Sequence, residues 1–198
     1  FKILSPSILR YFKISASESS TISLLINDEN KQTTTGTELE FNYTIANAGD
    51  YTCVAKAEVN GLVAYDTIFI CAASTPTNAS RPVGLQEGIT YYNDDATKVT
   101  LSLYSKNNNN QISKNVFVIG DFNNWSYSTE YQMKKDGETG YFWLDITGLE
   151  PNKEYVFQYA IQRPDGSMVQ VSDAYTHKTV DPNDHYIPED IYPNQLAY

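Results

Sequence analysis

The sequence predicts an all-β protein made of two immunoglobulin-like β-sandwich domains in tandem. Apolar repeats at helical spacing are absent, whereas apolar and polar residues alternate between turn residues along nearly the whole chain. Hydrophobic residues make up 41% of the 198 residues and charged residues only 19%, which is enough apolar material for packed cores. A stretch rich in Pro, Ser, Thr and Asn separates two alternating regions, so the chain is predicted to hold two domains.

The first domain is predicted to occupy residues 1–75. Its clearest strand alternates over residues 38–46, and a turn follows at residues 47–50. Asn60-Gly61 then predicts a tight hairpin, because both residues tolerate the positive φ angles that such a turn requires. The strands expected in this domain are residues 21–27, 38–46, 51–59 and 62–72.

Residues 76–82 are predicted to be a linker, and residues 83–187 are predicted to form the second sandwich. The Pro-Asp-Gly sequence at residues 164–166 is a turn, since proline presets φ at one central position and glycine accepts a positive φ after it. Residues 188–198 are a Pro- and Tyr-rich tail. The strands expected in this domain are residues 88–92, 98–105, 116–120, 141–146, 154–162 and 168–172.

Two cysteines, Cys53 and Cys71, flank the predicted hairpin, and two thiols alone do not define a metal site or a disulfide framework. If Cys53 shares a face with Ile68 and Ile70 of the partner strand, Cys71 points to the opposite face and no bridge forms. A register shifted by one residue makes the two thiols neighbours. Two buried free thiols and one disulfide are therefore both open at this point.

The charge balance argues against several classes of partner. The formal net charge is -10, whereas nucleic acids and anionic membrane surfaces attract positively charged proteins. No apolar stretch approaches the ~18 residues of a membrane-spanning helix, so direct membrane insertion is not expected. The 16 tyrosines suit a surface that meets neutral polar ligands such as sugars.

The sequence offers few candidates for catalysis. The only two histidines, His177 and His185, lie far from any cysteine or Gly-x-Ser-x-Gly motif and are interpreted as surface or packing residues. The aspartates at residues 94–95 are interpreted as turn formers rather than as a carboxylate pair or a calcium cluster with Asp181 and Asp184. We therefore expect no metal, no cofactor and no catalytic residue in this chain.

The second domain carries an ordered series of motifs, of which Gly-Asp-Phe-Asn-Asn-Trp at residues 120–125 is the most specific. The series resembles the isoamylase N-terminal and glycogen-binding domain family over residues 81–187. The resemblance implies a β-sandwich that precedes the catalytic barrel of an α-amylase-type glycoside hydrolase. Residues 172–182 and 185–188 resemble the segment that leads into this barrel in members from Bacteroidetes. The segments that carry the family resemblance are residues 116–125, 133–137, 141–149, 155–161 and 164–166.

The same resemblance implies a sugar platform at Trp125. Within the turn, Phe122 is expected to fill the core while the indole of Trp125 is exposed as a flat apolar surface. Family members that bind starch or glycogen add a Lys on the strand before the Asp-Gly turn and a second Trp after it. Those positions are Gln158 and Met168 in this sequence, so the candidate carbohydrate-binding residues are Trp125, Gln158 and Met168.

The strand at residues 141–146 predicts a second exposed aromatic group. Alternation places Phe142 in the core and turns Tyr141 and Trp143 outward. Large exposed apolar groups usually mark interfaces, so Trp143 and Tyr141 are interpreted as a contact surface for the catalytic barrel. Two alternatives stay open for Trp143, a second sugar platform and packing beneath the Asn-rich loop at residues 107–110.

The sequence as a whole predicts a non-catalytic accessory region of a secreted or surface-attached bacterial enzyme that degrades α-glucans. Gly49-Asp-Tyr-Thr in the first domain resembles part of bacterial immunoglobulin-like and polycystic-kidney-disease-type domains, which implies a spacer. The expected partners are the catalytic barrel of the same polypeptide and an α-glucan polysaccharide, and the expected location is extracellular, periplasmic or at the cell surface. The alternative is a genuine starch- or glycogen-binding module that uses Trp125.

Overall fold

The computed structural model describes residues 2–4, 7–176 and 178–180, and this part of the chain is nearly all β-structure, as predicted. No helix among these residues has the length and hydrophobicity needed to cross a membrane. Two short 3₁₀ helices are present, Asp121–Asn123 and Thr129–Tyr131. The strands are β1 (Lys2–Leu4), β2 (Ile8–Ile26), β3 (Glu29–Ile45), β4 (Gly49–Val59), β5 (Leu62–Ala72), β6 (Gly88–Tyr91), β7 (Val99–Tyr104), β8 (Asn115–Gly120), β9 (Lys134–Lys135), β10 (Tyr141–Ile146), β11 (Phe157–Gln162) and β12 (Met168–Val171).

The chain forms two compact units. The first unit comprises Phe1–Pro76 and Ser126–Gln132, and the second comprises Thr77–Trp125 and Met133–Tyr198. The residues singled out from the sequence that lie outside the described residues are His177, Asp181, Asp184, His185 and the tail at residues 188–198.

The first unit has one sheet of five strands in the order β1-β5-β4-β2-β3. The hairpin of β2 and β3 bends where residues 16–19 of β2 face only Thr37 of β3, between the paired residues Ser15 and Ser20. Phe12 and Leu24 share one core although they would lie about 40 Å apart on a straight strand. The two halves of the hairpin therefore pack on each other. The layers come from one bent sheet, whereas an immunoglobulin-like sandwich has two separate sheets.

The sequence analysis missed the first half of β2, because it placed the first strand at residues 21–27. Alternation is masked there, since Leu9 and Tyr11 are large apolar residues on the exposed face. The turn between β2 and β3 was also missed. Asn27 and Asp28 adopt φ angles of 49° and 65°, and Asn60-Gly61 adopts 51° and 79° as predicted for a tight hairpin.

Cys53 and Cys71 are both buried and both free, so the alternative without a disulfide is confirmed. The register pairs Cys53 with Ile68 and Asp50 with Cys71. Adjacent residues of a strand point to opposite faces, so Cys71 points away from Ile70 and from the face that carries Cys53.

A segment from later in the chain completes the first unit. The carboxylate of Asp50 accepts hydrogen bonds from Ser128 Oγ at 2.7 Å and from the Thr129 amide at 3.0 Å, where the second 3₁₀ helix begins. Gln132 Nε2 donates to the carbonyl of Ser74 at 2.8 Å. Asp50 thereby supplies the acceptor that the first amide of this short helix lacks within the helix itself.

The second unit is a sandwich of a four-stranded sheet, β6-β7-β10-β9, and a three-stranded sheet, β12-β11-β8. Phe142, Leu144 and Ile146 of β10 are buried on one face, as alternation predicts. Tyr159 of β11 and Phe117 of β8 are fully buried as well. Both sheets therefore contribute large side chains to the packed interior of this unit.

The prediction that Trp143 is exposed is wrong. Alternation places it on the outer face of β10, opposite Ser102, but only 8% of its surface is exposed. The indole Nε1 donates to the carbonyl of Ala79 at 3.0 Å, and Lys134 Nζ lies 4.2 Å from the ring centroid. The segment that begins the second unit and a neighbouring lysine cover the ring, which leaves Trp143 little surface for contact with another domain.

We expect Trp143→Ala to destabilise this chain by about 3–5 kcal/mol, because it removes a buried aromatic side chain and leaves a cavity. Thermal unfolding followed by circular dichroism measures the loss. The matched control is Tyr65→Ala in the first unit, a residue that is 66% exposed and whose removal should change the stability by less than about 0.5 kcal/mol. Equal melting temperatures for Trp143→Ala and the unmodified chain would contradict the burial of the indole.

Alkaline pH should destabilise the first unit through its thiols. Burial raises the pKa of Cys53 to about 11, and burial together with Asp50 raises the pKa of Cys71 to about 12. The stabilisation from these groups is complete below the pKa of the unfolded thiol, about 8.5, and is lost as the pH rises toward the folded pKa values, because only the unfolded chain releases the protons. Urea unfolding across this pH range measures the free energy of unfolding. With rising pH, this free energy should fall less steeply for Cys53→Ala/Cys71→Ala than for the unmodified chain. Equally steep falls would show that the two thiols do not have raised pKa values in the folded state.

Candidate functional site

The turn after β8 begins with a close approach of two backbone segments. A Cβ atom on Gly120 would lie 2.4 Å from the carbonyl oxygen of Val156 and 2.8 Å from Cβ of Phe157. The Asp121 amide donates to the same Val156 carbonyl at 3.0 Å. Position 120 therefore accepts only glycine, because any side chain would push β8 away from the segment that leads into β11.

Hydrogen bonds from side chains fix the rest of this turn. Asn123 Oδ1 accepts from the Gly120 amide at 2.9 Å, and Asn123 Nδ2 donates to the Val118 carbonyl at 2.9 Å. Asp121 Oδ2 accepts from the Val156 amide at 2.8 Å. Asp121 and Asn123 of the Gly-Asp-Phe-Asn-Asn-Trp motif thus bind backbone groups at this turn.

Trp125 is held at the end of the turn in an unusual backbone conformation. Asn124 and Trp125 adopt φ angles of 51° and 57°, in the left-handed region that a bulky residue rarely enters. The Trp125 amide donates to the Gly120 carbonyl at 2.9 Å, and its Nε1 donates to Asp121 Oδ1 at 3.0 Å. The ring is half-buried. A strained backbone that is held by this many contacts is characteristic of functional positions.

The indole borders a groove of about 980 Å³ in the second unit, here named the Trp125 groove. Its floor includes apolar residues of β6, β7 and β10, such as Ile89, Leu101 and Ile146. Aromatic side chains from four separate segments line its walls, and six of them are Tyr91, Tyr92, Phe122, Trp125, Tyr155 and Phe157. A concave, largely apolar site with a few polar groups is the usual form of a small-molecule site.

The lysines that line this groove are paired with carboxylates. Lys153 Nζ lies 2.7 Å from Glu150 and 5.1 Å from the ring centroid of Tyr155. The hydrogen bond to Glu150 raises the pKa of Lys153. Lys178 and Glu154 form a second pair at 2.8 Å. Positive and negative groups lie side by side, so this lining matches a neutral polar ligand better than an ion.

Two of the three predicted carbohydrate-binding residues lie in the Trp125 groove. Trp125 and Gln158 both line it, and Gln158 is half-buried on β11. Met168 does not line it. It pairs in register with Gln162, four residues along β11 from Gln158, and is 39% exposed there.

Phe122 was predicted to fill the core, but it is half-buried and lines the groove. It contacts Tyr155 with ring centroids 6.4 Å apart. The sequence analysis also missed Tyr91, Tyr92 and Tyr155 as lining residues. Their type was visible in the high tyrosine content, but their convergence depends on the approach of separate strands.

Of the carboxylates that were considered for catalysis, Asp95 has a structural partner. Asp95 Oδ1 accepts from the Thr97 amide at 3.0 Å and from Thr97 Oγ1 at 2.6 Å, and these bonds lower the pKa of Asp95. Asp95 is therefore a turn former, as predicted. Within residues 2–4, 7–176 and 178–180, no group of three or more His, Cys, Asp or Glu residues is arranged to hold a metal ion.

Comparison with curated proteins finds similarity to glucan branching enzymes. The chain is 42% identical over 65 residues to the 1,4-alpha-glucan branching enzyme GlgB 2 of Clostridium perfringens strain SM101, a match that covers 32% of this chain and 10% of that enzyme. It is 36% identical over 63 residues to the 1,4-alpha-glucan branching enzyme GlgB of Synechococcus sp. strain JA-2-3B'a(2-13), covering 32% of this chain and 8% of that enzyme. The chain thus spans about a tenth of the length of these relatives.

Among solved structures, the apo structure of Bacteroides uniformis beta-glucuronidase 3 superposes with a TM-score of 0.30 and 9% identity, over 86% of this chain and 23% of that one. A likeness this loose carries no argument. The family match is specific, because residues 86–176 match the model of carbohydrate-binding module 48, the isoamylase N-terminal domain. That range includes the Gly120 turn, Trp125 and Gln158. This match agrees with the family resemblance predicted from the ordered motifs of the second domain.

Proposed function

We propose that the second unit binds α-glucan chains in the Trp125 groove as a non-catalytic accessory module of a larger α-glucan-active enzyme. The observation that carries the proposal is the half-exposed indole of Trp125, which Asp121 holds at the edge of an aromatic-lined groove. The apolar face of a glucose ring stacks on such a surface, and its hydroxyl groups bond to the polar groups around it. Gln158 supplies an amide for these bonds.

An α-glucan is proposed as the ligand because the relatives are 1,4-alpha-glucan branching enzymes. An α-1,4-linked glucan offers a chain of neutral pyranose rings, and the groove offers aromatic side chains with paired charges between them. Asp95 accepts a hydrogen bond from Thr97 Oγ1 and has a structural role in its turn, which supports an accessory module without catalysis.

A second role, support of a catalytic domain in the same polypeptide, is favoured by the small share of the branching enzymes, about a tenth, that the matched segment covers. The burial of Trp143 removes the surface that the sequence analysis had assigned to this contact, so Tyr141 is the remaining candidate. Three points stay predictions, namely a Bacteroidetes-type parent enzyme, the spacer role of the first unit and a location outside the cytoplasm.

Trp125→Ala should abolish the retardation of this chain in native gels that contain amylopectin or glycogen, because it removes the stacking surface while the Gly120 turn keeps its own hydrogen bonds. The matched control is Met168→Ala, an exposed residue outside the groove, which should migrate like the unmodified chain. Circular dichroism of both variants checks that they are folded. Equal retardation of Trp125→Ala and the unmodified chain would show that Trp125 is not the sugar platform.

Asp121→Ala should weaken glucan binding several-fold, because Asp121 positions the indole through Nε1 and also accepts from the Val156 amide. Asp121→Asn retains an oxygen acceptor for the indole and should bind more tightly than the alanine variant. Titration with maltoheptaose, followed by tryptophan fluorescence, separates this positioning effect from a general loss of stability. Identical affinities for the two variants would count against a positioning role.

A further inference from the structure

We propose that a second cleft of the second unit, formed by Tyr104, Tyr141, Tyr175 and Glu87, binds a neutral pyranose ring of the same class of glucan. The cleft has a volume of about 440 Å³ and is here named the tyrosine cleft. This inference rests on the glucan-binding function proposed above, but two of its residues, Tyr104 and Tyr141, do not line the Trp125 groove.

The aromatic walls of the tyrosine cleft are open to solvent. Tyr104 is 50% exposed and Tyr175 is 58% exposed. The rings of Tyr104 and Tyr141 meet edge to face with centroids 5.1 Å apart and an interplanar angle of 61°. Rings at this angle form a concave corner, so a sugar ring would stack on one tyrosine and contact the edge of the other.

Glu87 gives the tyrosine cleft its polar group. The hydroxyl of Tyr141 donates to Oε1 of Glu87, and the hydroxyl of Tyr175 donates to Oε2. These two hydrogen bonds hold the pKa of the Glu87 carboxyl below its usual value, so the group is ionised at neutral pH. Glu87 is exposed, and a carboxylate offers about four acceptor positions, so further hydrogen bonds from the hydroxyl groups of a sugar can be accepted.

The cleft is organised before any ligand binds, because a chain of hydrogen bonds connects it to the core. The buried hydroxyl of Tyr159 donates to Asp173 Oδ2 at 2.6 Å, and the Tyr175 amide donates to Asp173 Oδ1 at 2.7 Å. Gly88 allows the close approach of this segment, since a Cβ atom there would lie 2.7 Å from Cβ of Tyr175. The tyrosine wall therefore needs little further ordering on binding.

Charge in the tyrosine cleft favours a neutral ligand over an anion. The Arg81 guanidinium lies 4.8 Å from the ring centroid of Tyr141 and donates to Ser102 Oγ at 2.7 Å. The cleft lining holds two carboxylates, Glu87 and Asp173, beside this one guanidinium, so its net charge repels an anion. Glu87 and Tyr175 also line the Trp125 groove, so one extended glucan has a continuous polar and aromatic surface available to it.

Isothermal titration calorimetry of this chain with maltoheptaose tests the proposal. Tyr104→Ala and Glu87→Gln should each weaken binding by about threefold to tenfold, the loss expected for one aromatic or hydrogen-bonding contact. The matched control is Tyr65→Ala, an exposed tyrosine of the first unit, which should bind like the unmodified chain. Thermal unfolding of each variant confirms that it is folded at the titration temperature.

The outcomes separate this inference from the proposed function. If Trp125→Ala weakens binding while Tyr104→Ala and Glu87→Gln do not, glucan binding by the tyrosine cleft is overturned. Glucan binding in the Trp125 groove is then supported. If Tyr104→Ala and Glu87→Gln weaken binding while Trp125→Ala does not, the cleft is supported and the platform at Trp125 fails. Absence of maltoheptaose binding by the unmodified chain would overturn both.

Discussion

The organisation of the candidate site depends on two hydrogen bonds that the carboxylate of Asp121 accepts. One of its oxygens accepts from the indole of Trp125, and the other accepts from the Val156 amide. A single side chain therefore joins the end of β8, the segment before β11 and the aromatic platform. The close approach at Gly120 makes this geometry available, because a larger residue would separate the two segments that Asp121 joins.

Asp173 plays an equivalent part on the other side of the groove. Its oxygens join the buried hydroxyl of Tyr159 to the amide of Tyr175. Burial, followed by the interaction with Asp173, raises the pKa of the Tyr159 hydroxyl, which favours its role as a donor. In both places a carboxylate with fixed partners positions an aromatic ring near solvent, where aromatic rings recognise neutral ligands.

The sequence predicted the site best where the chemistry is local. The turn at residues 120–125 was visible because its Gly, Asp and Asn residues bond to backbone within a few positions, and this turn places Trp125. Trp143 shows the limit of the same reasoning. Alternation assigned it to the outer face of β10, and it does lie there, but Ala79 from a distant part of the chain and Lys134 from the neighbouring strand β9 cover it.

The sequence left the disulfide open, but by itself it determined the all-β fold and the family that residues 86–176 match. These properties follow from alternation and from short motifs, which act over a few residues. Only the tertiary structure decided the bend of β2, the burial of Trp143 and the convergence of Tyr104, Tyr141 and Tyr175 on Glu87. The physical reason is that burial and cleft formation depend on which distant segments pack together, and alternation along one strand carries no information about what covers its outer face.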